Sequence, residues 1–212
     1  MKERLKKVLE ELAGEIDDFR VYFQKPFMDG EWVAATDCYA IIRIKESAIC
    51  HDYPQLPRKI DIGKRFPPKD CQILVNIEDL REHLKDEGYT DWDSRLGLCD
   101  ECYGDGDVCY TYTDSFGDVH EMSGVCPICG GSGYVERDGV VKIADTYVKP
   151  KYLLLLCELA EATGGSVWLL NRGGTGLNCI YFDICDGIEM IIMPARPSIV
   201  KREGVLFKFE ID

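Results

Sequence analysis

Long apolar runs are missing from this chain: no stretch approaches the roughly 18 consecutive apolar residues that a membrane-spanning helix requires. The start, Met1-Lys-Glu-Arg-Leu-Lys-Lys, also lacks the apolar core of a signal peptide and reads as the first turns of an amphipathic helix, so the cytoplasm is the expected compartment. Positive charge is scarce, with 25 Lys and Arg against 38 Asp and Glu and a formal charge of −13. That argues against nonspecific coating of nucleic acid, because phosphate binding draws its affinity from clustered cations. Histidine is scarcer still. His51, His83 and His120 are scattered, and no Ser or Cys occupies a nucleophile-elbow context. The glycine-rich Asn171-Arg-Gly-Gly-Thr-Gly176 lacks the Gly-Lys-Ser/Thr ending of a phosphate loop and reads as a hairpin turn. With no recognisable catalytic constellation, a non-enzymatic protein is the expectation.

What the chain has in quantity is cysteine, 11 residues of it. Two stretches share the pattern C-x-x-C-x-G-x-G: Cys99-Asp-Glu-Cys102-Tyr-Gly104-Asp-Gly106 and Cys126-Pro-Ile-Cys129-Gly-Gly131-Ser-Gly133. Two thiolates separated by two residues bind one ion from a tight turn, and a second such turn completes a tetrahedral shell of four cysteines. Zinc is the expected metal, with Cys99, Cys102, Cys126 and Cys129 as ligands. The glycines serve the same turn, which needs positive φ and amide N–H groups aimed at sulfur. Cys109 and His120 are the other candidate ligands, which would make a redox-labile site. Cys38, Cys71, Cys157, Cys179 and Cys185 lie in apolar or strand-like surroundings and read as buried thiols of a reducing compartment.

Charge is unevenly spread. Between Asp91 and Gly133 nine acids face the single base Arg95, so the metal segment should repel DNA. Arg58, Lys59, Lys64, Arg65 and Lys69 cluster in a proline-containing stretch, read first as a solvated loop and second as a phosphate-contacting surface.

Leu5, Val8, Leu9, Leu12 and Ile16 predict a helix over about 2–18. Strands are expected at Phe19 to Phe23 and Glu31 to Ile44, with a turn at Asp29-Gly30, and an extended connection over 46–70. A short buried strand, Cys71 to Val75, leads to a helix from Ile77 to Lys85 capped by Asn76. Tyr110-Thr-Tyr112 and Asp118 to Met122 form a hairpin around Ser115-Phe-Gly117. Strand character resumes over Gly139 to Ile143. Pro150 opens a helix to about Thr163, closed by Gly164-Gly165. Strands follow at Ser166 to Leu170, Leu177 to Phe182 and Glu189 to Met193, with Asp183 to Gly187 as a turn and Val205 to Asp212 as an edge strand or docked terminus. The fold class is α+β, mainly antiparallel, with two or three helices. Its body comprises residues 1–96 and 136–212, and 97–135 form a zinc-binding insertion.

The paired C-x-x-C-x-G-x-G motif resembles the cysteine-rich region of the DnaJ co-chaperones, where four repeats build two zinc sites. Only two repeats stand here, over about residues 97–135, and the J-domain signature His-Pro-Asp is absent. The resemblance therefore implies zinc ligation and not stimulation of a DnaK-type chaperone. A second resemblance is to the bacterial sliding clamp, the β subunit of the replicative polymerase. It rests on Ala35-Thr36-Asp37-Cys38-Tyr39, on Ile73 to Leu84, on Val148-Lys-Pro150-Lys-Tyr152-Leu153-Leu154 and on Met193-Pro194-Ala195-Arg196. Cys38, Tyr39 and Ala40 stand where the clamp has Gly-His-Arg. By this resemblance Met193, Pro194 and Arg196 border a groove for short peptide motifs, although a buried final strand is the plainer account. The resemblance implies a clamp-like body with a role in protein interaction or DNA replication and processing, with protein partners, DNA contact only through the body, no membrane contact, and room for oligomers. The rival readings are a chaperone-like binder of unfolded polypeptide through the zinc module, and an enzyme with a dispersed site. Two-fold repetition of a strand-helix-strand unit in the body would favour the clamp relation.

Overall fold

The computed structural model describes residues 2–14, 23–49, 53–55, 62–66, 73–89, 96–136, 139–171, 179–185, 187–196, 200 and 204–210. The chain runs α1 (Lys2–Gly14), β1 (Phe27–Asp29), β2 (Trp32–Thr36), β3 (Ala40–Lys45), β4 (Ile73–Val75) and α2 (Ile77–Asp86). Then come β5 (Leu96–Leu98), β6 (Asp107–Thr113), β7 (Val119–Val125), β8 (Tyr134–Glu136), β9 (Val140–Ile143) and β10 (Thr146–Val148). The last part is α3 (Pro150–Thr163), β11 (Val167–Asn171), β12 (Ile180–Cys185), β13 (Ile188–Ile192) and β14 (Val205–Phe209). The class is α+β with mainly antiparallel sheets, as expected.

Local chemistry explains the helices. The stripe Leu5, Val8, Leu9 and Leu12 is buried along one side of α1. Asn76 caps α2, its side-chain oxygen accepting from the amides of Glu78 and Asp79, while Leu80 and Leu84 point inward. Pro150 starts α3 and Gly164, at φ +64°, ends it by donating to the Ala160 carbonyl. Leu153 to Leu156, Cys157 and Leu159 are all buried, because α3 packs against the sheet and both other helices.

A seven-stranded sheet has the order β1-β2-β3-β13-β12-β11-β4. Its first six strands form two copies of one unit: α1 precedes the meander β1-β2-β3, and α3 precedes the meander β11-β12-β13. The units join antiparallel through β3 and β13, with Ala40 opposite Ile192 and Ile44 opposite Ile188. Each helix packs on the middle strand of its own meander, α1 on β2 and α3 on β12, and the helices touch. Side chains alternate as the pleat demands: Val33, Ala35, Ile42, Ile44, Phe182, Ile184, Met190 and Ile192 join the helices in the main core. On the opposite face Ala34, Ile41, Tyr181 and Ile191 meet Ile62 and Phe66. There Arg43 Nε donates to Glu189 at 2.6 Å, and the guanidinium lies 3.7 Å from the centre of Phe66 and 4.4 Å from that of Trp32. A second sheet, β10-β9-β14, sends Val141, Ile143, Val148 and Phe209 into the main core.

Several expectations are corrected. The span Glu31 to Ile44 is a hairpin, not one strand. Thr36 Oγ1 accepts from Cys38 N and donates to Ala40 O, and Asp37 Oδ1 accepts from the amides of Tyr39 and Ala40, so side chains replace the ladder for three residues. Phe23 lies in a helical turn, and the first described strand is Phe27–Asp29; the rest of the strand expected from Phe19 lies outside the described residues, as does the helix extension to 18. β4 is an edge strand with Leu74 55% exposed, not a buried one. Asp183 to Cys185 continue β12 instead of turning. Within 46–70, Glu46–Ala48 and Gly63–Arg65 are short helical turns. Strands β5, β8 and β10 were not anticipated. Cys157 and Cys179 are buried, whereas Cys38 and Cys185 are half-buried; Cys71, the Asn171 to Gly176 turn beyond its first residue, and Arg58, Lys59 and Lys69 lie outside the described residues. The tail forms the edge strand β14, parallel to β9. Among the described residues no helix is long and apolar enough to cross a membrane.

Candidate metal centre

The two cysteine motifs pack against each other with reciprocal bonds. Cys99 N donates to Gly133 O at 2.9 Å, and Cys126 N donates to Gly106 O at 2.8 Å, tying each repeat's first cysteine to the other's last glycine. Within each repeat the last glycine then donates to the second thiol: Gly106 N to Cys102 Sγ and Gly133 N to Cys129 Sγ, both at 3.3 Å. Positive φ recurs at matching places, +95° at Gly104 and +88° at Gly131, +81° at Gly106 and +77° at Gly133. The last glycines also have no room for a side chain. A Cβ on Gly106 would lie 2.4 Å from Gly131 O, and one on Gly133 would lie 2.2 Å from Gly104 O.

This pairing gathers all four expected cysteines. The sulfurs of Cys99, Cys102, Cys126 and Cys129 lie within 4.8 Å of one another, with 3.8 Å between Cys99 and Cys126 and 3.7 Å between Cys102 and Cys129. They are thiol contacts, since a disulfide bond is about 2.05 Å long. Four thiols so placed are positioned to hold one metal ion. Cys99, Cys102 and Cys126 are buried, Cys129 is half-buried, and Val108 and Val135 pack on them. Burial pushes the Cys126 thiol up to about 11, outweighing the amides of Cys129 and Ile128. At Cys129 burial acts in the same upward sense but is overcome by the amides of Gly133 and Gly131, which bring the thiol down to about 6. Metal uptake by thiols releases their protons and so depends on pH.

The alternative ligands are not brought in. Cys109 is exposed on β6 opposite Ser123. His120 Nε2 lies 2.9 Å from Asp114 Oδ2, and its ring stacks on Tyr112 at 5.2 Å. The expected hairpin is β6-β7, in register from Asp107 opposite Val125 to Thr113 opposite Val119. Its turn is built by Asp114, whose carboxylate accepts from the amides of Phe116 and Asp118, and by Gly117 at φ +91°. The short ladder of β5 with β8, Leu96 opposite Glu136, closes the base of the segment.

In the body, the sequence segments around Asp37 and Tyr152 come together. Tyr152 OH donates to Asp37 Oδ2 at 2.7 Å, and Lys151 Nζ lies 3.5 Å from the same oxygen. Met193 N donates to Tyr39 O and Ala195 N to Tyr147 O, at 2.7 and 2.6 Å. Met193 and Pro194 are half-buried and Arg196 is exposed. Because Asp37 answers two amides and a phenol in a buried place, Asp37→Ala should cost about 2–3 kcal/mol in urea unfolding, and Tyr152→Phe about 1 kcal/mol. Cys38, without being glycine, has φ +73°. Cys38→Gly should therefore raise stability by roughly 0.5–1 kcal/mol, read as a higher urea midpoint at unchanged slope.

No protein-family model matches this chain, and no curated protein matches it. Solved structures similar to it include the DNA polymerase III subunit beta of Pseudomonas aeruginosa, 12% identical with a TM-score of 0.42, covering 92% of this chain and 65% of that one. The Helicobacter pylori beta clamp bound to a DNA ligase peptide is 11% identical with a TM-score of 0.45, covering 91% and 63%. Pol III beta of Caulobacter crescentus is 14% identical with a TM-score of 0.40, covering 94% and 66%. The chain thus spans a little under two thirds of the length of these clamps.

Among the described residues, 96–136 contain Asp100, Glu101, Asp105, Asp107, Asp114, Asp118, Glu121 and Glu136 and neither Lys nor Arg.

Proposed function

We propose that this chain is a non-enzymatic zinc-binding accessory protein. In this reading residues 1–96 and 136–212 form a sliding-clamp-like body, and 97–135 form an inserted DnaJ-type zinc hairpin that serves protein interaction in DNA replication or processing. The closed set of four thiols carries the reading. A tetrahedral zinc with bonds of about 2.3 Å has sulfur–sulfur edges of about 3.8 Å, the spacing of two of the sulfur pairs. Four thiolates fill the shell and leave no open position for substrate, which favours a structural ion over a catalytic one.

The repeated unit is a helix followed by a three-stranded meander, doubled about the β3-β13 pair, rather than the strand-helix-strand unit expected; its doubling supports the clamp relation. That relation is also supported by the meeting of the Asp37 and Tyr152 segments. A clamp-like role implies association of several copies around DNA, through the body and away from the acidic hairpin. Metal analysis of the purified chain should find one zinc per molecule. Sedimentation and retention on circular DNA test the clamp relation: release of the protein on linearising the DNA supports it, and a monomer at all concentrations with no retention ends it. The exposed Tyr103, Phe116 and Ile128 favour a second reading, capture of unfolded polypeptide. Suppression of aggregation by the wild type, lost on metal removal, is its measurement.

A further inference from the structure

One face of the β6-β7 ribbon carries side chains that neither the metal nor the core uses. The register puts Tyr110 with Met122 and Tyr112 with His120 on one face, and the residues between them on the other. Tyr112 and Met122 are 51% and 54% exposed. The face is also organised. Tyr110 packs over Gly124, where a Cβ would meet its ring at 3.1 Å, and its hydroxyl donates to Val125 O. Tyr112 is held by the stacked His120, itself fixed by Asp114. Each strand has one neighbour in its two-stranded sheet, so one edge of each has no strand beside it among the described residues.

We infer that this face, with an open edge of the ribbon, docks an extended protein segment bearing Lys or Arg in alternation with apolar side chains. Charge selects the occupant: eight carboxylates and no Lys or Arg lie in 96–136, and a zinc tetrathiolate adds a formal −2. Nucleic acid and acidic polypeptides are repelled by that field. A cation is drawn to it, and tyrosine faces receive ammonium or guanidinium groups through the ring quadrupole. An extended segment pairs with an open strand edge through its backbone while alternate side chains reach the aromatic face. The inference deepens the interaction role given to the hairpin above and rests on that reading of the zinc module, but not on the clamp relation.

The test uses the full chain loaded with zinc at physiological salt, and fluorescein-labelled decapeptides of Lys alternating with Leu, Glu alternating with Leu, and Ser alternating with Leu. Fluorescence anisotropy should show the Lys peptide binding at least tenfold more tightly than either other. Tyr112→Ser and Met122→Ser should weaken it at least fivefold with zinc content unchanged, while Thr111→Ser on the other face should not. Equal binding of the three peptides points to apolar capture and overturns the inference, as does absence of Lys-peptide binding to zinc-loaded protein, or undiminished binding by both face variants. A wild type that holds no zinc fails at the earlier step and removes the module reading as well.

Discussion

Stripping the metal from the full chain with a chelator is expected to open residues 96–136 to protease while leaving most secondary structure of the rest in place. The segment has almost no apolar core of its own. Its buried cluster is three of the cysteines, with Val108, Cys129 and Val135 against them. A two-stranded ribbon is marginal in water without further support, so an ion held by the four thiols, worth roughly 10 kcal/mol or more of coupled folding energy in the zinc case, would be its main source of order. The body has a separate supply. Its core cluster runs through all three helices and both larger sheets, with Leu9, Leu84, Leu155, Ile42 and Phe182 among its buried members. Limited proteolysis should show new cuts within 96–136, and far-UV circular dichroism should lose only a minor part of its signal. Cooperative unfolding of the entire chain on chelation would show that the metal segment and the body are one folding unit.

Substitution of the last glycine of either repeat should be nearly as damaging. Gly133→Ala places a methyl group 2.2 Å from the Gly104 carbonyl oxygen, and Gly106→Ala places one 2.4 Å from that of Gly131. Both oxygens are backbone and belong to the opposite knuckle, so relief requires the knuckles to separate. Left-handed backbone adds roughly 1–2 kcal/mol for a residue with a Cβ, and overpacking about 1–3 kcal/mol more. Together these predict a loss of at least about thirtyfold in apparent zinc affinity, measured by competition with a chromophoric chelator. Gly130→Ala is the control. Its φ of +61° brings the backbone cost, but nothing lies within 4 Å of the new methyl, so its effect should be about tenfold. Equal losses in all three would show that backbone conformation, not the close approach of the knuckles, governs the site.

The candidate site was legible in sequence because each knuckle is local. Eight consecutive residues carry the ligands, the left-handed turns and the amides that point at sulfur, and the same eight positions occur twice. The hairpin was legible for a related reason, since its turn residues and its flanking aromatic and β-branched residues are neighbours in the chain. Helices α2 and α3 announced themselves through Asn76, Pro150 and Gly164. The hairpin within Glu31 to Ile44 was hidden because its apolar content continues through the bend, and the turn depends on the Thr36 hydroxyl donating to the Ala40 carbonyl and the Asp37 carboxylate accepting from the Ala40 amide. The exposure of Leu74 was hidden because an edge strand and a central strand differ only in what lies beside them.

By itself the sequence determined the four cysteines that are positioned to hold a metal ion, the three helices, the acidic character of the segment around them and the mainly antiparallel α+β class, because capping, turn chemistry, periodicity and ligand spacing act over a few residues. Tertiary structure decided the pairing of one knuckle with the other through Gly106 and Gly133 and the joining of two helix-and-meander units at β3 and β13. It also decided the contact of Tyr152 with Asp37. Those depend on strand register and on packing between residues far apart in the chain, where the free energy belongs to the pair and is written in neither segment alone.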